Sequence, residues 1–119
     1  MNNLVLAYLG DAVYELYIRE FLISKNICKV NDLQNESLKY VSAKSQSMHL
    51  ARLIDNNFLT EEEIEIVKRG RNMSSHGKRN TDIITYKKST GLECLIGSLK
   101  IAKNDQRINE IMNFIVGED

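Results

Sequence analysis

The first 24 residues contain the longest apolar stretch of the chain. Fifteen of the 20 residues at positions 4–23 are apolar or aromatic, and no proline interrupts them. A helix that is apolar almost all round is usually a central, buried one, so we predict a buried helix over 4–23. The stretch contains Asp11, Glu15, Arg19 and Glu20, and four ionisable side chains argue against a membrane span.

Helical periodicity broken by short polar segments predicts five more helices. One is predicted to begin after a capping Asn31 and another to cover 43–56, while Thr60, Ser89 and Asp105 are predicted to cap the remaining three. The side chains predicted to face the core are Met48, Leu50, Leu53, Ile54, Leu92, Leu95, Ile96, Leu99, Ile108, Ile111, Met112 and Ile115. Residues 73–88 are polar and are predicted as a loop, and a loop of this length in a compact domain often has a function.

The helix after Thr60 has the clearest start. Thr60 and Glu63 have the spacing of a capping box, and Leu59 and Ile64 have the spacing of a hydrophobic staple. Three glutamates occupy the first turn, where the helix dipole favours negative charge. These signals predict a well-defined helix start at Thr60.

The composition indicates one all-α domain over residues 1–119. The chain has no proline and only 6 glycines among 119 residues, and 43% of its residues are hydrophobic. Cys28 and Cys94 follow no secretory signal and form no CxxC pair, so we expect free thiols, a cytoplasmic location and no structural zinc.

The net charge of zero conceals a strong separation of charge along the chain. Residues 68–88 hold seven basic side chains and one acidic side chain, Asp82, for a net charge of +6. The other 98 residues hold nine basic and fifteen acidic side chains, for a net charge of −6. Arg, Lys, Asn and Ser are the usual contacts to phosphate and sugar oxygens. This segment therefore indicates either a nucleic-acid contact or a solvated loop that balances acidic helices.

Two carboxylates lie in apolar helices. Asp11 follows Gly10 in the first helix, and Glu93 lies four residues before Gly97 in the fifth. A buried carboxylate is costly unless it is paired or binds a metal. Two such groups on packed helices would form an oxygen site suited to Mg²⁺, and the alternative is an internal ion-pair ladder of Asp11, Glu15 and Arg19.

Two segments carry a family resemblance. The sequence LAYLGDAVYE at 6–15 resembles the signature helix of the ribonuclease III catalytic domain, and STGLECLIG at 89–97 resembles the second acidic motif of that family. The segments YVSAKSQ at 40–46, RGRN at 69–72 and YKKSTG at 86–91 are similar to the short form, Mini-ribonuclease III, which has no double-stranded-RNA-binding domain. The resemblance covers essentially the whole chain.

The resemblance implies an all-α ribonuclease III helical bundle that forms a homodimer. It also implies Mg²⁺-dependent hydrolysis of double-stranded RNA to 5′-phosphate and 3′-hydroxyl ends, and maturation of 23S ribosomal RNA precursor. By motif match, Asp11 and Glu93 correspond to the metal-binding catalytic carboxylates. The chain departs from the full-length family at Ala7 and Thr90, where that family has two further acids.

The other candidate site residues take supporting roles. Glu15 and Thr90 are candidates for a position just behind the metal ligands. The predicted RNA contacts are Lys44, Gln46, Lys68, Arg69, Arg71, Asn72, Lys78, Arg79, Lys87 and Lys88. The sequence leaves open the number of metal ions, the RNA stem that is cut and the help of a ribosomal protein. Two alternatives to an endoribonuclease are a non-catalytic RNA-binding module on the same fold and a helical protein–protein adaptor.

Overall fold

The computed structural model describes residues 1–73 and 82–117, which form six α-helices and no strand. The helices are α1 (Asn3–Ser24), α2 (Val30–Val41), α3 (Ala43–Asp55), α4 (Glu61–Met73), α5 (Ile83–Ile101) and α6 (Asp105–Val116). The all-α prediction is confirmed. No helix in the described part of the chain is long and apolar enough to cross a membrane.

Helix α5 is the centre of the bundle and packs against α1, α3, α4 and α6. Its core face includes Leu92, Leu95 and Ile96, which are fully buried. Helix α6 adds Ile108, Ile111, Met112 and Ile115 to the same core, as its periodicity predicts.

The start of α4 has the predicted capping box. The Glu63 backbone N–H donates to Thr60 Oγ1 at 3.1 Å, and the Thr60 N–H donates to Glu63 Oε1 at 2.9 Å. Glu63 also pairs with Arg107 of α6 at 2.7 Å, and the Arg107 guanidinium lies over the Phe58 ring. The cap of one helix is thus tied to another helix.

Several predicted helix boundaries were wrong. Helix α5 begins at Ile83 and is capped by Asp82, whose side chain accepts from two backbone N–H groups, so Ser89 is an interior residue of this helix. Part of the predicted loop 73–88 is therefore helical, because an exposed first turn has no apolar periodicity to reveal it. Asn104 caps α6 in place of Asp105, and Lys29 precedes α2 in place of Asn31.

Some burial predictions also failed. Met48 and Ile54 of α3 are exposed, whereas His49 is buried, stacks on Tyr40 and bonds Arg52 through Nδ1 at 2.9 Å. Helix α1 is not buried all round, since one side exposes Leu4, Val5, Tyr8, Leu16 and Ile23. Periodicity shows that a helix has an apolar face, but it cannot show which of several apolar faces the neighbouring helices cover.

Candidate active site

The two predicted catalytic carboxylates meet where α1 crosses α5. The crossing is close because glycines stand at both contact points. A Cβ added at Gly10 would lie 1.7 Å from the Glu93 carbonyl oxygen, and one added at Gly97 would lie 1.8 Å from the Leu6 carbonyl oxygen. The backbones therefore touch directly, and this contact brings Asp11 of α1 beside Glu93 of α5.

Glu93 is in an environment that opposes its ionisation. Burial, followed by the hydrogen bond to Asp11 and the charge of Asp11, raises the pKa of Glu93 to about 9. This raised pKa keeps the Glu93 carboxyl largely protonated at neutral pH. None of the ion pairs among the described residues includes either carboxyl group.

The ion-pair ladder proposed as the alternative does not form inside the protein. Glu15 and Arg19 lie 3.8 Å apart, but their side chains are 39% and 74% exposed, so the pair is on the surface. Asp11 hydrogen-bonds Glu93 instead of extending this pair. Glu15 still acts on the site, because its charge is one of the smaller effects that raise the pKa of Glu93.

The two positions that lack the family acids are buried. Ala7 lies in the α1–α5 core, and Thr90 of α5 donates from its hydroxyl to the Tyr86 carbonyl oxygen at 3.1 Å. Thr90 is three residues before Glu93 and therefore lies on the same face of α5.

Gln46 lies inside the protein, with 1% of its surface exposed. Its Oε1 accepts a hydrogen bond from Ser89 Oγ, and the amide also acts on Glu93. In this structure the side chain has no exposed surface with which to form the predicted RNA contact. Sequence reasoning placed Gln46 on the RNA-facing surface and Ser89 at a helix start, so it missed the contact between these two residues beside Glu93.

The C-terminal half of α4 and the first two turns of α5 carry a set of basic and polar side chains, which we call the basic surface. Its described members are Lys68, Arg69, Arg71, Asn72, Lys87 and Lys88. Lys68, Arg71 and Lys88 line a single cleft of about 250 Å³ whose floor includes Leu50 and Val67. Lys44 is exposed at the start of α3. Lys78 and Arg79 lie outside the described residues.

The carboxylate pair fits a hard divalent cation. Asp11 and Glu93 offer only oxygen atoms, and no described cation offsets their charge in an ion pair. The described residues assemble no group of three His, Cys, Asp or Glu side chains around a common point. Mg²⁺ is commonly held by one or two carboxylates, with water and substrate phosphate completing its shell. A pair of carboxylates therefore agrees with the number of protein ligands that Mg²⁺ commonly takes.

Comparisons with known proteins agree on one family. The family model for the Ribonuclease III domain matches residues 4–104. Mini-ribonuclease 3 of Streptococcus pneumoniae is 44% identical over 117 residues, covering 98% of this chain and 91% of the relative. Mini-ribonuclease 3 of Staphylococcus aureus is 45% identical over 117 residues, covering 98% and 87%. An X-ray structure of a Fusobacterium nucleatum protein has a TM-score of 0.87 at 33% identity, covering 98% of this chain and 93% of that one.

Proposed function

The chain belongs to the ribonuclease III domain family and is a double-strand-specific endoribonuclease, and on that premise we propose that Asp11 and Glu93 are its catalytic carboxylates. The observation that carries the proposal is the opposed pair of carboxyls at the α1–α5 crossing, held by direct backbone contact at Gly10 and Gly97. A carboxyl with its pKa raised to about 9 by burial and a specific partner is typical of a functional site.

The reaction is hydrolysis of a backbone phosphodiester. A water oxygen forms a bond to phosphorus, and the bond from phosphorus to the 3′ oxygen breaks. One proton of the water goes to the bulk or a base and the 3′ oxygen gains a proton, which leaves 5′-phosphate and 3′-hydroxyl ends.

The residues that would hold Mg²⁺ are Asp11 and Glu93. When bound, Mg²⁺ supplies positive charge that activates water and offsets the charge of the phosphodiester. Glu93 would release its proton on binding the cation, because a ligating carboxyl must be ionised. Glu15 stands one helical turn after Asp11 and adds to the negative potential that draws a cation to this place.

The duplex is gripped by the basic surface. Lys88 precedes Glu93 by five residues on the same helix, which separates the two by a rise of about 7.5 Å and a turn of about 140°. Lys68 and Arg71 of α4 line one cleft together with Lys88, so one RNA strand could take phosphate contacts from two helices. Lys44, Lys78 and Arg79 remain proposed contacts, and A-form shape supplies the recognition.

The active form is a homodimer. The exposed side of α1 places Leu4, Val5, Tyr8, Leu16 and Ile23 in solvent, and Tyr8 is 84% exposed. A row of large apolar side chains along one helix is typical of a protein–protein interface. A second copy of the chain would cover this row and set two carboxylate pairs on one duplex.

The RNA that we propose as substrate is the 23S ribosomal RNA precursor. This proposal rests on the resemblance of motifs 40–46, 69–72 and 86–91 to the short form of the family. A precursor of ribosomal RNA as substrate also places the enzyme in the cytoplasm. A ribosomal protein that shapes the stem would assist cleavage.

The test is cleavage of a duplex RNA with and without Mg²⁺. We expect Asp11→Asn and Glu93→Gln each to reduce the single-turnover rate at least about a hundredfold, since each removes one of two ligands. Glu20→Gln, an equal charge change at an exposed position of α1, is the matched control and should cut at the wild-type rate. Wild-type rates in both site variants would show that the carboxylates are wrongly assigned.

A further inference from the structure

Gln46 is a buried polar side chain with half of its amide engaged. Its Oε1 accepts from Ser89 Oγ, whereas its Nε2 has no hydrogen-bond partner in the described part of the chain. Burial of an amide donor without an acceptor is unfavourable and rare in folded proteins. The unengaged Nε2 therefore needs an explanation that packing alone does not give.

The contact with Ser89 shows which way the amide faces in this structure. The hydroxyl of Ser89 donates to Oε1, so the two hydrogen atoms of Nε2 point away from Ser89. A serine hydroxyl can also accept a hydrogen bond, but an ionised carboxylate only accepts, so a carboxylate on the far side of the amide favours this orientation. In this orientation Gln46 presents a donor toward the rest of the site.

Helix geometry identifies the group that this donor faces. Ser89 and Glu93 are four residues apart on α5, so they lie on one face of that helix. Side chains on a helix lean toward its N-terminus, so the Glu93 side chain extends over the turn that contains Ser89. Gln46 is bound at that turn from α3. In agreement, the Gln46 amide acts to lower the pKa of Glu93, against the larger upward effects of burial and Asp11.

We propose that Gln46, oriented by Ser89, is a positioning residue whose Nε2 donates to the Glu93 carboxylate and holds it facing Asp11. The inference rests on the proposed function, since it assigns a role relative to the same carboxylate pair. Gln46 touches neither RNA nor water in this role. It restricts the rotation of one ligand so that the two carboxylates bind a cation without first losing conformational freedom.

A purely structural role is the competing explanation. Gln46 also joins α3 to α5 through Ser89, and loss of that bond would lower stability whether or not Glu93 was affected. Positioning predicts a change in cation affinity in the free protein, whereas a structural tie predicts a change in melting temperature only. The two explanations therefore differ in a measurement that needs no RNA.

The experiment is calorimetric titration of the metal-free protein with Mg²⁺, followed by single-turnover cleavage. Gln46→Met keeps the length of the side chain and removes the donor, and Ser89→Ala removes the group that orients it. We expect Gln46→Met to weaken Mg²⁺ binding about tenfold and Ser89→Ala to weaken it less. The cleavage rate at saturating RNA should fall, while the RNA concentration for half-maximal rate should stay the same.

Two controls separate the outcomes. Gln34→Met makes the same change at an exposed position of α2, and Ile111→Val weakens the core in α6 away from the carboxylates. Wild-type Mg²⁺ affinity in both Gln46→Met and Ser89→Ala would overturn the positioning role, as would an equal loss of affinity in Ile111→Val. If Gln46→Met does not fold, the Mg²⁺ affinity of Ser89→Ala is compared with the wild type and with Ile111→Val in the same way. Failure of the proposed function is distinct, because it requires Asp11→Asn and Glu93→Gln to cut normally.

Discussion

Glu93 is the residue at which function and stability oppose each other. Its pKa rises from an ordinary value of 4.5 to about 9, first through burial and then through Asp11. Between these values the folded, metal-free protein binds a proton that the unfolded chain does not bind. The free energy of unfolding therefore falls as pH rises through this range. The metal-free protein is therefore less stable at pH 8 than at pH 5.

Glu93→Gln should remove this pH dependence. In metal-free buffer we expect the variant to melt at least about 5 °C above the wild type at pH 8, with a much smaller difference at pH 5. Glutamine keeps the shape of the protonated carboxyl but cannot ionise. Thermal melts followed by circular dichroism measure this, with Glu20→Gln as the exposed control. A melting difference that is the same at both pH values would contradict the pKa.

Asp11 and Glu93 stand out in the sequence because a carboxylate in an apolar helix violates the hydrophobic pattern. His49 and Gln46 could not be found in this way. Their burial depends on partners 10 and 43 residues away in the chain, the Lys39 carbonyl and Ser89. Local periodicity carries no information about such partners, so polar residues that are buried by tertiary contacts look like surface residues.

At the scale of the helix, the sequence predicted the start of a helix correctly where two residues cap it together. In a capping box, Thr60 and Glu63 are each expected to accept a hydrogen bond from the backbone N–H of the other. The structure has both of these bonds. Ser89 is a common capping residue without such a partner, and α5 begins six residues earlier at Ile83. The exposed first turn of α5 has no inward apolar row, and nothing in the local sequence distinguishes its cap, Asp82, from any other acid in a basic segment.

The close α1–α5 crossing predicts that Gly97→Ala lowers stability, whereas helix propensity alone predicts that it raises stability. Alanine is a better helix former than glycine by about 1 kcal/mol, so Gly97→Ala should stabilise an isolated α5. In the bundle a Cβ would lie 1.8 Å from the Leu6 carbonyl oxygen. The helices must then separate, and we expect a net loss of about 2–3 kcal/mol in urea unfolding and at least a tenfold loss of cleavage. Ser98→Ala on the same helix is the control, and a stabilised Gly97→Ala would refute the close crossing.

The ion pair between Glu63 of α4 and Arg107 of α6 can be compared with a second ion pair of the same arginine. Arg107 binds the buried Glu63 and, through Nη1, the exposed Glu110 at 3.0 Å. Glu63→Gln should cost about 2 kcal/mol or more because it weakens a largely buried ion pair and the cap of α4. Glu110→Gln should cost less than about 1 kcal/mol, since exposed pairs contribute little. Equal losses in urea unfolding would show that burial of the pair is unimportant.

The same pair has a defined pH dependence. Burial acts to raise the pKa of Glu63, but the hydrogen bonds from Arg107 and Thr60 outweigh it and the pKa is lowered. The stabilisation is therefore present above the ordinary value of 4.5 and is lost as pH falls below it. Acid should reduce the stability of the wild type relative to Glu63→Gln, which has no carboxylate to protonate.

At the scale of the whole molecule, charge is segregated. The acidic body holds the carboxylate pair, and the basic surface presents cations from α4 and α5. The segregation could be predicted from the sequence because seven basic residues fall within positions 68–88. The distance between the basic surface and the carboxylates could not be predicted from the sequence, since it depends on how α1, α4 and α5 pack.

This segregation predicts that local charge, and not net charge, controls binding to duplex RNA. Each phosphate contact contributes about 0.9 to the slope of the logarithm of affinity against the logarithm of salt concentration. The double variant Lys87→Ala and Lys88→Ala should therefore reduce that slope by about 2. The double variant Lys29→Ala and Lys39→Ala removes the same charge from around α2 and should leave the slope unchanged. Filter binding in Ca²⁺ buffer from 50 to 300 mM salt (about the range in which such slopes are measured) gives the slope for each double variant. Equal slopes for the two double variants would mean that net charge alone attracts the RNA.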